Sequence, residues 1–187
     1  MLQRVFVDAD VLAARIPLEW LALVRDETHA FQLHSSAAVV ADAVRIWRDR
    51  DPAARGASAR RPRELLVATL DELAEDADVD VDIDALPDGS TAHDAAVMSG
   101  AHILLSSRAR ETPDADLLPF ELVTPDEFLC LVDDLAGAAV RNVALELARR
   151  DGAETRGSVD RLARALIAAG CPAFAGRVRA HLRTSGA

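Results

Sequence analysis

The sequence predicts an α/β layer fold built on a parallel sheet. Three observations carry that expectation. Short apolar runs alternate with helical stretches along the first two thirds of the chain, the order that builds strand–helix–strand units. The first run, Val5, Phe6 and Val7, is apolar without alternation, as suits a strand covered on both faces. Beyond residue 135 only helical patterning remains, so the expected organisation is a sheet-bearing domain over residues 1–135 and a helical extension packed on it over residues 136–187.

Residues 4–7 form the first strand and run into Asp8, Ala9 and Asp10. Residues 17–24 read as a helix, with Pro17 tolerated in its first turn. A second strand is expected over residues 30–34, followed by a helix that Ser35 or Ser36 caps and that runs to about Trp47. Residues 49–63 hold Arg50, Arg55, Arg60, Arg61 and Arg63 among Pro52, Gly56 and Pro62, and read as a connection. Residues 64–75 have helical periodicity, and residues 79–83 alternate at period two like an edge strand. A turn at residues 87–90 precedes a helix that Gly100 stops. Strands follow at residues 101–105 and 120–123. Thr124 with Glu127 forms a capping box for the next helix. Ser158 caps a helix ending at Gly170, and Pro172 opens one reaching about Leu182.

The chain has 187 residues, half of them hydrophobic, enough for one domain with a core and an appendage. Its 31 acidic and 21 basic residues give a net charge of -10, which argues against coating nucleic acid through bulk positive charge. Every basic residue is arginine, so chemistry that needs a lysine, a Schiff base or a P-loop, is excluded. Cys130 and Cys171 are too few for a disulfide scaffold or a four-ligand zinc site. No signal peptide and no apolar run of about 18 residues is visible, so the expected setting is cytoplasmic, away from membranes.

The acids fall where an α/β sheet binds ligands. Asp8 ends the first strand, and in open α/β sheets the crevice beyond the strand ends is the binding place. Asp42 lies on the helix after the second strand, Asp94 on the helix before the fourth, and Glu111 just after that strand. Asp8, Asp42, Asp94 and Glu111 are the candidate catalytic residues, with Asp8, Asp42 and Asp94 as candidate metal ligands. Carboxylates gathered from distant stretches repel one another, and a hard divalent cation, Mg2+ or Mn2+, removes that repulsion. Such an ion lowers the pKa of a bound water and stabilises attack on a phosphodiester. Arg45, Arg108 and Arg110 are candidate RNA contacts, since arginine meets phosphate with two parallel hydrogen bonds.

In five places the chain resembles the PIN-domain family, in the actinobacterial-type branch of VapC-like toxin ribonucleases. Residues 5–12, VFVDADVL, look like the family's opening; residues 17–21, PLEWL, resemble the helix that follows. Residues 35–42, SSAAVVAD, match the segment bearing the second acid; residues 95–106, AAVMSGAHILLS, match the later helix–strand unit; residues 124–129, TPDEFL, match the closing segment. The resemblance covers roughly residues 4–150 and implies a three-layer fold with a parallel sheet flanked by helices. It also implies a metal-dependent endoribonuclease, commonly a dimeric toxin restrained by an antitoxin protein. Ile16, Leu18, Trp20 and Leu23 would then be exposed contacts for that partner. Asp8 matches directly; Asp10 stands where the family has Asn, and Asp42 where it has Glu. The family's third aspartate falls at Gly89 or Ser90, leaving Asp94, one turn later, or Asp88 to supply it. Arg108 occupies the place after Ser106 and Ser107 where Asn or Asp is common, and it either binds a phosphate or neutralises the pocket.

Each feature also has a structural reading. Asp8 caps a helix, Asp94 complements a helix dipole, and Asp88 forms a turn. A catalytically degenerate PIN domain that binds RNA or a protein partner is the main alternative to the nuclease. A haloacid-dehalogenase-like phosphatase shares the Asp8-x-Asp10 pattern but normally uses a lysine that this chain lacks.

Overall fold

A computed structural model of the chain describes residues 2–50, 60–74, 90–112, 115–150 and 156–184. The strand expected at residues 79–83, the turn at residues 87–89 with Asp88, and the side chain of Ser158 lie outside the described residues. The fold class is the expected one: α/β, with a five-stranded, all-parallel sheet flanked by helices and a run of helices at the C-terminal end. The strands are β1 (Gln3–Val7), β2 (Phe31–Ser36), β3 (Glu72–Ala74), β4 (Ile103–Leu105) and β5 (Glu121–Val123), in the order β3-β2-β1-β4-β5.

The chain divides into two compact units. The first comprises residues 1–13 and 30–123 and holds the whole sheet. Its helices are α1 (Ala9–Leu12), α3 (Ala37–Arg50), α4 (Arg60–Thr69) and α5 (Ser90–Met98). The second comprises residues 14–29 and 124–187 and is helical: α2 (Arg15–Thr28), α6 (Pro125–Arg150), α7 (Arg156–Ala168) and α8 (Pro172–Thr184).

In the first unit β1 is the central strand, and Val5, Phe6 and Val7 are fully buried, as an apolar run without alternation requires. Leu33, Leu104 and Leu105 complete its core; each such burial contributes roughly 1.5–3 kcal/mol. β3 departs from the expected helix over residues 64–75. The helix stops at Thr69, and Asp71 then pairs with β2 through its N–H to the Leu33 carbonyl (2.8 Å) and through its carboxylate, which accepts the Leu33 N–H (2.8 Å). An open sheet edge supplies hydrogen bonds that helical periodicity cannot register. His34 is buried beside β3, its Nδ1 within reach of Arg4 (3.4 Å) and Glu72 (3.3 Å), and burial pushes its pKa down. Gly100 ends α5 at φ 62°, where the left-handed backbone favours glycine.

The second unit has its own core. Trp20 of α2 meets Phe174 of α8 edge to face, with ring centroids 5.0 Å apart. Leu21, Leu129, Val140, Leu166 and Val178 are buried around them. Leu18 and Trp20 were expected on an exposed partner surface; they are 8% and 2% exposed because α2 turns its apolar face onto α6. α6 carries a kink where Ala136 leaves helical geometry (φ −141°, ψ 44°). α2 belongs to the same compact unit as the C-terminal helices. The capping box forms as expected: Glu127 accepts the Thr124 N–H (2.9 Å), and Thr124 Oγ1 accepts the Glu127 N–H (3.3 Å).

Candidate functional site

The chain runs β1 to β2 to β3 on one side and then returns to place β4 on the other side of β1. That reversal makes the carboxyl ends of β1 and β4 the topological switch point, the place where such sheets open a crevice. β1 and β4 run in register from Val5 opposite Ile103 to Val7 opposite Leu105. Asp8 continues the ladder, its N–H donating to the Leu105 carbonyl (3.0 Å). The residues just beyond are Asp8, Ala9 and Asp10 on one side and Ser106, Ser107 and Arg108 on the other.

Asp8 is 8% exposed. It is the N-cap of α1, its Oδ1 accepting the Ala9 N–H (2.6 Å). Asp10 follows in the first turn of α1 and crosses to the other strand end, where its Oδ2 accepts the Ser107 N–H (3.1 Å). Its other oxygen, Oδ1, is buried and has no hydrogen-bond partner among the described residues. Burial, and then the neighbouring charge of Asp8, raise the pKa of Asp10; the Ser107 hydrogen bonds and the Arg108 charge pull it partly back. Ser106 is buried, and its Oγ accepts the Arg108 N–H (3.3 Å). At the end of β2, Ser35 Oγ donates to the Val7 carbonyl (3.0 Å), and Ser36 Oγ accepts the Val39 N–H (3.3 Å) as the expected cap of α3.

The structure gathers the expected acids unevenly. Asp8 lies at the switch point, at the carboxyl end of β1. Asp42 is half-buried on α3, with Arg45 at 3.3 Å one turn along. Asp94 is exposed on α5, and Glu111 is exposed in a 3-10 turn over Ala109–Glu111. Among the described residues no three His, Cys, Asp or Glu side chains come close enough together to hold a metal. Of the expected RNA contacts, Arg45, Arg108 and Arg110 are all exposed, and Arg45 is the one paired with Asp42.

Asp10, Ser106 and Ser107 are the residues that sequence reasoning left out of the candidate site. Asp10 carries a signal, since it falls three residues past a buried strand and in the first turn of the next helix, at the strand end. The serines become informative only once β4 is known to lie beside β1.

A divalent cation fits what the two acids offer. A cation beside Asp10 would satisfy the buried Oδ1 and cancel the repulsion from Asp8. Magnesium is commonly held by one or two carboxylates, with waters and substrate phosphate filling the other positions, so a pair is a sufficient protein contribution. Among the described residues no helix is long and apolar enough to cross a membrane. No protein-family model, no curated protein and no solved structure matches the chain.

Proposed function

We propose that the chain is a divalent-cation-dependent endoribonuclease of the PIN type, acting at the crevice between β1 and β4. The observation that carries the reading is the Asp8–Asp10 pair: two neighbouring carboxylates at the switch point, one with a buried oxygen that nothing among the described residues satisfies. Structural carboxylates normally find partners, and strained electrostatics concentrate at working sites. Asp8 and Asp10 would hold Mg2+ or Mn2+. That ion, when bound, supplies an acidified water and charge stabilisation for phosphodiester hydrolysis. The Ser107 N–H keeps Asp10 in place. Asp42, Asp94 and Glu111 remain candidates for further contacts to the ion or its waters. The PIN resemblance extends the proposal to a dimeric toxin, cytoplasmic and restrained by an antitoxin.

A second reading is a PIN-like module that binds RNA or a protein without cutting. It is favoured by Asp42 lying beside Arg45 and by the two-acid rather than three-acid meeting at the crevice.

Incubation of the purified chain with single-stranded RNA, with and without Mn2+, decides between them. The nuclease reading expects cleavage with Mn2+ that EDTA abolishes, and a melting temperature that rises with Mn2+ concentration. At 100 times the dissociation constant the stabilisation is about 2.7 kcal/mol. RNA binding with no cleavage and no Mn2+ effect on melting would leave the binding module standing.

A further inference from the structure

We propose that Arg108 seats the RNA phosphate in the Asp8–Asp10 crevice, its guanidinium taking the non-bridging oxygens of the group to be cut. The inference rests on the nuclease reading and adds to it the residue that recognises the substrate's charge. Two acids repel a polyanion, and a chain with a net charge of -10 offers no general attraction. An RNA that reaches this crevice needs a local cation there.

Arg108 is placed to be that cation. Its N–H donates to Ser106 Oγ (3.3 Å), and its carbonyl accepts the Glu111 N–H (2.9 Å), so its backbone is held at both ends. The preceding residue, Ser107, is hydrogen-bonded to Asp10 itself. The Arg108 side chain is exposed and makes no ion pair or hydrogen bond among the described residues. A guanidinium that served to neutralise Asp10 would lie within ion-pair distance of it, as Arg177 does with Asp133 at 3.2 Å. Arg108 follows directly on the residue that bonds Asp10, its side-chain donors have no partner among the described residues, and its planar fork suits a phosphate's two oxygens.

The test compares wild type, Arg108→Ala and Arg108→Lys. Three measurements are made: kinetics of cleavage of a labelled single-stranded RNA over a salt series, Mn2+ binding by calorimetry, and the Nε–H resonance of Arg108 during titration with inorganic phosphate. The expected result is a KM raised about tenfold or more in Arg108→Ala, with a salt slope smaller by about one. Mn2+ affinity should not weaken, and Arg108→Lys should recover part of the loss. Phosphate should move the Arg108 resonance. An unchanged KM and salt slope in Arg108→Ala, or faster cleavage, would overturn the inference while leaving the nuclease intact. If wild type neither cuts RNA nor binds Mn2+, the nuclease reading fails by itself. The anion seat then stands if phosphate still moves the Arg108 resonance, and falls if it does not.

Discussion

Each unit of the molecule brings two acids together, and treats them in opposite ways. In the helical unit Asp133 and Asp134 sit side by side on α6 and are fully answered. Arg177 of α8 bonds both of them, and His181 lies 2.6 Å from Asp133. Nearby, Asp126 is 8% exposed, and its two oxygens accept the N–H groups of Phe174 (2.8 Å) and Ala173 (3.1 Å), capping the start of α8 from another helix. In the sheet unit Asp8 and Asp10 have backbone N–H partners but no ion pair among the described residues, and one oxygen of Asp10 has no partner there at all. The helical unit answers its acids with groups of its own, whereas the Asp8–Asp10 pair has no ion-pair partner among the described residues.

The strongest way to break the comparison is Asp8→Asn. Asparagine caps a helix about as well as aspartate, so α1 keeps its start and melting should change little. Cleavage should fall on the order of a thousandfold, about 4 kcal/mol in the barrier. Equal loss of stability and activity would mean that Asp8 is structural like its counterparts in the helical unit.

Asp126→Ala should have the next largest effect, on stability alone. It strips the buried Phe174 N–H and the part-buried Ala173 N–H of their acceptor, at a cost of about 2–3 kcal/mol, read as a lower urea midpoint. Asp126→Asn retains one acceptor oxygen and should lose less. RNA cleavage per folded molecule should be unchanged in both.

The smallest effect belongs to Asp134, whose partner is met at the surface. The Arg177 hydrogen bond holds its pKa below the ordinary aspartate value. A folded pKa below the unfolded one gives stability that is present above the unfolded value, near 3.9, and is lost as pH falls through the folded one. Asp134→Asn should therefore be slightly less stable than wild type at neutral pH, and the two should converge in acid. Urea titrations at both pH values check the sign; exposed pairs of this kind contribute little.

Much of this molecule could be read locally. The buried β1, the Thr124–Glu127 capping box, the left-handed glycines at Gly100 and Gly170, and the parallel α/β class all follow from short-range rules. So does Asp8 at a strand end. The acids expected to join it were judged by their positions on separate elements, which says little about distance. Asp94 lies exposed on α5, and Asp42 lies beside Arg45, one turn along its own helix.

The sequence by itself determined which stretches extend, which coil and where they stop, because those outcomes depend on side chains and backbone groups a few residues apart. Tertiary structure alone decided that residues 72–74 leave a helical pattern for the edge of β2, and that α2 joins the C-terminal helices. It also decided that Asp10 meets Ser107 across 97 positions of chain, and that Asp126 caps a helix 47 residues away. In each case the deciding partner is a hydrogen-bonding group or an apolar face remote along the chain. Its contribution exists only once the strand order or the helix packing has brought the two together.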